Sequence, residues 1–226
     1  MTFAGEVEGE FVELRSHFGA IDYLDENDTL YLADSTNGIL WQVATADIQA
    51  AIDEEGEAAT VTAENLMVER EVTPSFLAYH NGLLYIGQHD KDEEDENFMI
   101  GYDVNNNEAK TEKIPLQLKS QGITFVDYEN QLYLINSASR GVDNPSTLVI
   151  EKVDERTDEN DHVVLEKAVA KEIALPNMSE DVYVDDETVY ILFESAAKYY
   201  NDDWYSFLFT EKRHIIATTM DLLLEK

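Results

Sequence analysis

The sequence predicts an all-β fold built from a repeated unit, and three observations carry that expectation. One phrase, an apolar residue then Tyr then an apolar residue, recurs four times. It reads Leu30-Tyr31-Leu32, Leu84-Tyr85-Ile86, Leu132-Tyr133-Leu134 and Val189-Tyr190-Ile191, at intervals of roughly 50 residues, a spacing typical of repeat architectures. Each phrase is preceded by another β-branched or aromatic segment and a tight polar turn. Each is followed, after a second connection, by a third apolar run.

The elements follow in order. Residues 20–34, 75–88, 122–136 and 181–194 read as β-hairpins, because strand-forming residues flank turns rich in Asn, Asp and Gly. Asn81-Gly82 is the strongest turn, since both residues tolerate the positive φ of a type I′ turn. Third strands are expected at Ile39–Val43, Phe98–Tyr102, Leu148–Ile150 and His214–Thr218, and fourth strands at 64–72, 112–118 and 170–176. The last unit has no fourth strand of its own, but residues 7–14, VEGEFVEL, precede the first hairpin as the other fourth strands precede theirs. Thr45 to Gly56 reads as a short helix between strands three and four of the first unit, with Thr or Asp as its cap and Gly56 as its stop. Residues 196–213 break the pattern as an aromatic insertion in the last unit.

Four four-stranded units offset by one strand resemble β-propeller repeat proteins in general, in the manner of the YVTN and NHL groups. The resemblance covers nearly the whole chain, without the WD dipeptide or the kelch double glycine. It implies radial blades around a channel, closed by the N-terminal strand completing the C-terminal blade. Four blades are expected, with five as the alternative if a diverged blade lies in 45–72 or 151–176. No Pro/Gly/Ser-rich linker divides the sequence, so one domain spanning 1–226 is expected.

Charge and composition exclude several functions. Fifteen Lys and Arg stand against 48 Asp and Glu, a net charge of −33, which argues against nucleic acid and anionic membranes as partners. Cysteine is absent, which removes thiol catalysis and disulfide scaffolding. No apolar run reaches the length of a membrane span. The acidic N-terminus is unlike a signal peptide. An extracellular or cell-surface monomer, soluble through its charge, is the expectation.

Catalytic motifs are missing: no GxSxG, HExxH or phosphate loop occurs. Asp103-Val104-Asn105-Asn106-Asn107 starts like a calcium loop, but Glu108 stands where Gly is required and Ile114 where a bidentate Glu is required. It is read as a polar turn. The acidic run 90–96 is read as a solvated loop. The repeat itself points to a better site. Three residues beyond each repeat tyrosine stand Asp34, Gln88, Asn136 and Phe193, and four beyond stand Ser35, His89, Ser137 and Glu194. In a propeller these positions cluster at one channel mouth. Asp34, His89, Asn136 and Glu194 are therefore candidate ligand or metal-binding residues, with Ca²⁺ as the candidate ion. Tyr199, Tyr200, Trp204 and Arg213 form a second candidate surface, for a protein or glycan, because aromatics and Arg dominate binding hot spots. The expected function is a non-catalytic binding or scaffold module. A metal-dependent hydrolase, similar in concept to propeller lactonases, is the alternative.

Overall fold

The structure is a computed structural model, and it describes residues 2–7, 9–14, 18–56, 59–66, 72–90, 97–141, 143–193 and 215–225. Strands take 61% and helix 9% of the described residues, so the protein is mostly β, as its periodicity predicts. It divides into two compact units, Met1–Leu77 and Ala78–Lys226.

The first unit holds a four-stranded antiparallel sheet, β3 (Phe18–Leu24), β4 (Thr29–Asp34), β5 (Ile39–Ala44) and β7 (Glu64–Asn65), in that spatial order. Its first three strands are the predicted hairpin and third strand. The fourth covers two residues within the described segment, and the Leu66 N–H continues the pairing by donating to the Leu40 carbonyl oxygen at 2.9 Å. Helix α1 (Thr45–Glu55) occupies the predicted connection and stops at Gly56, whose φ of 64° suits only the residue without a Cβ. The expected cap is not formed. Ala44 holds the N-cap position without a side-chain bond, and Thr45 instead bonds Asp28 in the preceding turn.

The N-terminal segment is a hairpin rather than a single strand. β1 (Thr2–Val7) turns at Gly9 into β2 (Glu10–Glu13), and β1 pairs in parallel with β6 (Thr60–Thr62). This small sheet packs on the larger one through Trp41, which is fully buried. A Cβ on Gly5 would lie 2.8 Å from the Trp41 Cη2, so only glycine lets β1 approach. Leu32, Ile39, Trp41, Val43, Val61 and Ala63 form the core between the two sheets.

The second unit holds three sheets. β8 (Phe76–His80), whose first two residues belong to the first unit, opens the set β8, β9 (Leu83–Gln88), β10 (Phe98–Asp103) and β11 (Ile114–Pro115). Then come β12 (Ser120–Tyr128), β13 (Gln131–Ala138), β14 (Ser146–Thr157) and β15 (Val163–Leu175). The last set is β16 (Ser179–Asp185), β17 (Thr188–Phe193) and β18 (Ile216–Thr219), followed by helix α2 (Met220–Leu224). Each is antiparallel. Asn81 and Gly82, with φ of 49° and 81°, make the predicted turn, and Glu129-Asn130 repeats that geometry at 49° and 63°.

Three of the four repeat tyrosines are core residues, and Tyr190 is half-buried. Tyr31, Tyr85 and Tyr133 are 3%, 0% and 5% exposed, which explains why a large aromatic recurs there. The main departure from expectation is the length of β14 and β15, 12 and 13 residues. The outer half of β14 is charged and exposed, and that of β15 opens with half-buried Val163, Val164 and Leu165. Cross-strand charge adds to the ladder: Arg156 meets Glu166 at 3.1 Å, and Lys167 meets Glu151 at 2.9 Å where both are nearly buried.

Successive sheets of this unit meet through their first strands. β12 packs along β16, and a Cβ on Gly122 would come within 2.7 Å of the Asp181 Cα. Val126, Ile135, Leu148 and Ile150 of one sheet and Val182, Ile191 and Phe193 of the next share a core, closed by Met220 and Leu223 of α2.

Candidate functional site

The positions three and four residues beyond the repeat tyrosines mark the ends of the second strands, and there the chain places buried polar groups. In the first unit Asp34 is fully buried. Its carboxylate accepts from the Asn37 backbone N–H at 3.0 Å, the Asn37 Nδ2 at 2.9 Å and the Trp41 Nε1 at 3.2 Å. Asp34 thus folds the β4–β5 turn over itself and anchors the core tryptophan. A carboxylate supplied with several donors pays its desolvation cost locally.

In the second unit, the polar strand ends are joined to the next sheet. The His89 Nδ1 donates to the Ser120 carbonyl oxygen at 2.8 Å. This places the ring proton on Nδ1 and, in the neutral ring, leaves Nε2 as an acceptor. Ser120 opens β12, and its hydroxyl donates to the Asn136 Oδ1 at 3.0 Å, while the Asn136 Nδ2 donates to the Gly122 carbonyl at 3.2 Å. One repeat later the pattern returns: Ser137 bonds the hydroxyl of Ser179, which opens β16, at 2.7 Å. The Ser179 N–H donates to the Ser146 Oγ at 3.0 Å. Ser120, Asn136, Ser137, Ser146 and Ser179 are all buried.

The residue four beyond the tyrosine therefore reaches the first residue of the following sheet in both cases. The receiving strands are irregular at that point, with register shifts between Ser120 and Gly122 and between Ser179 and Val182. Bulges re-aim backbone groups, and here they turn the strand's opening residue toward its neighbour.

His89 and Asn136 are brought together through Ser120. Asp34 is engaged within its own unit. Glu194, Tyr199, Tyr200, Trp204 and Arg213 lie outside the described residues, as do residues 91–96 of the acidic run. The Asp103 loop is a polar turn: its carboxylate accepts from the Asn105 N–H at 2.8 Å and Nδ2 at 3.1 Å. Among the described residues no group of three or more His, Asp and Glu is arranged to hold a metal ion. No described helix is long and apolar enough to cross a membrane.

Sequence reasoning missed the serines that complete these links. Ser120 and Ser179 each precede a predicted hairpin by one or two residues, and that shared offset was the available signal.

No protein-family model and no curated protein matches the chain. Among solved structures it is similar to a functionally unknown protein from Desulfotomaculum acetoxidans DSM 771, at 12% identity and a TM-score of 0.39, over 81% of this chain and 65% of that one. It is also similar to Kuenenia stuttgartiensis hydrazine synthase, at 14% identity and a TM-score of 0.40, over 83% of this chain and 58% of that one. The chain thus spans less than two thirds of the length of either.

Proposed function

We propose that the chain is a non-catalytic binding or scaffold module, built as a β-propeller of hairpin-based blades in the manner of the YVTN and NHL groups. The observation that carries this reading is the employment of the polar strand ends. Asp34 and Asn136 are buried and bonded to their own sheets, and His89 and Ser137 tie one sheet to the next. Groups spent on holding sheets together supply rigidity, which is what a recognition surface on loops requires. A hydrolase would need the same groups directed at a substrate.

Closure by the N-terminal strand belongs to this proposal. Among the described residues β2 and β18 are both edge strands, and both expose apolar side chains, with Phe11 63% and Ile216 37% accessible. Exposed edges invite pairing. The absence of cysteine makes the test clean. Phe11→Cys, Val12→Cys and Glu13→Cys are each combined with Thr218→Cys and oxidised. One pair should close within a monomer, since a disulfide demands Cα atoms roughly 4.4–6.8 Å apart; cross-links only between molecules would refute the closure.

A thermal melt with Ca²⁺ titrated at constant ionic strength, with Mg²⁺ and NaCl controls, separates the two functional readings. The binding-module reading expects screening alone, equal for equal ionic strength. Stabilisation by micromolar Ca²⁺ that Mg²⁺ does not reproduce would transfer the assignment to the cation-dependent enzyme, because a specific ligand stabilises by mass action.

A further inference from the structure

In the second unit, a cleft of about 410 Å³ opens between the segment 117–119 and one face of the β12–β15 sheet. Gln117, Leu118, Lys119 and Arg140 line it with Ala138, Thr147, Val149 and Glu172. It shares no residue with the strand-end links described above and rests on no part of the functional reading drawn from them.

Its charge is unusual for this protein. Of the eight described Lys and Arg residues, Lys110, Arg156, Lys167 and Lys171 are ion-paired, and Lys113 lies 4.2 Å over the Phe98 ring. Lys119, Arg140 and Lys152 have no ionic partner among the described residues, although the chain carries 48 carboxylate side chains. In such a negative field, cations are ordinarily drawn to carboxylates. Two of these three stand at one cleft with no ion pair among the described residues, and Glu172, also without one there, lines the same space.

Lys119 is held there by its backbone. Its φ of 66° lies in the left-handed region, where a residue with a Cβ persists only if its surroundings fix it. The Lys119 N–H donates to the Oδ1 of buried Asn97 at 3.0 Å, and its carbonyl accepts from the Ser139 N–H at 3.0 Å. The cleft floor is apolar: Ala138 and Val149 are 3% and 1% exposed and occupy adjacent strands.

We propose that this cleft binds a small organic anion, an acid head group on a compact aliphatic body with a hydrogen-bond donor beside it. Lys119 and Arg140 take the head group, where a guanidinium can bind in bidentate fashion. Ala138, Val149 and Leu118 receive the aliphatic body. The Thr147 hydroxyl and Gln117 amide orient it, and Glu172 accepts from the neighbouring donor. The volume falls within the roughly 300–1,000 Å³ of small-molecule sites.

The test is an NMR titration of the full ¹⁵N-labelled chain with 2-hydroxyisovalerate and, separately, with inorganic phosphate, each at constant ionic strength. Saturable shifts are expected at Lys119, Ser139, Arg140 and Thr147, and the probe that saturates at lower concentration identifies the head group as carboxylate or phosphate. Arg140→Gln should weaken binding about tenfold or more, as loss of a charge-assisted contact does. Lys119→Asn should do the same, because Asn keeps the left-handed backbone while removing the charge. Lys113→Gln, outside the cleft, should leave affinity unchanged. Shifts that never saturate for either probe, or affinity indifferent to both Arg140→Gln and Lys119→Asn in folded variants, would overturn the site.

Discussion

Asp34 shows how one residue type can serve two readings. A carboxylate at the end of a strand, beside polar residues at equivalent positions of the repeat, suggests a ligand. Its observed partners, Asn37 and Trp41, make it the keystone of its turn. Asp34→Ala should therefore cost about 1–3 kcal/mol in urea unfolding, because the buried Trp41 indole N–H loses its acceptor and the turn loses its bonds from exposed Asn37. Titration behaviour gives two further outcomes. Asp158 accepts the backbone N–H of Asn160 at 2.8 Å and of His162 at 2.9 Å, and these bonds, that of His162 first, hold its carboxyl below the ordinary value. Its stabilising contribution is complete above the carboxyl's unfolded pKa and is lost as pH falls through the lower folded value. Asp158→Asn should flatten the acid limb of stability against pH. Tyr128 behaves oppositely. Its hydroxyl donates to the Asp221 carboxylate of α2, and that bond, with burial, pushes its pKa up from 10.0 to about 12. The unfolded chain then releases this proton first as pH rises, so stability falls between those values, and Tyr128→Phe should remove that alkaline loss.

Elements meet in this protein where glycine lets backbones touch. Gly19 lies under the Ser75 backbone, whose carbonyl carbon a Cβ would approach at 3.0 Å. Gly122 lies against the Asp181 backbone. Neither has the positive φ that usually explains glycine; the requirement is space. Both stand within the first residues of the strand that opens a hairpin, at or beside a bulge. Gly19→Ala and Gly122→Ala should each cost about 1–3 kcal/mol, the usual penalty for overpacking, measured by chemical denaturation. Gly38, with a φ of 67° and nothing near its Cβ position, provides the contrast: substitution there strains the backbone without a packing clash.

At the scale of the whole molecule, charge is the dominant feature. A net charge of −33 opposes compaction, and only four of the described cations form ion pairs with carboxylates. Stability should rise steadily with NaCl as the screening length shrinks from about 10 Å at 0.1 M to about 3 Å at 1 M. A melting temperature insensitive to salt across that range would show that local pairing, rather than summed repulsion, sets the electrostatic balance.

The mostly-β class, the hairpins and the helix at 45–55 were legible in the sequence, because alternation and turn chemistry are local properties encoded within a few residues. The outer halves of β14 and β15 were not. β14 is charged and exposed there, so its pairing with β15 from Thr157–Val163 inward shows only in the register of the two strands. The site followed the same division. Periodicity named Asp34, His89 and Asn136, but their partners depend on which strand lies beside which. The link from His89 to Ser120 spans 31 residues, and that from Ser137 to Ser179 spans 42. The Lys119–Arg140 cleft was invisible for the same reason, since a left-handed backbone held by Asn97 and two cations without an ion pair among the described residues acquire meaning only once the sheet brings them to one face. Local chemistry determined the strands; the packing of one sheet against the next decided what their polar ends do.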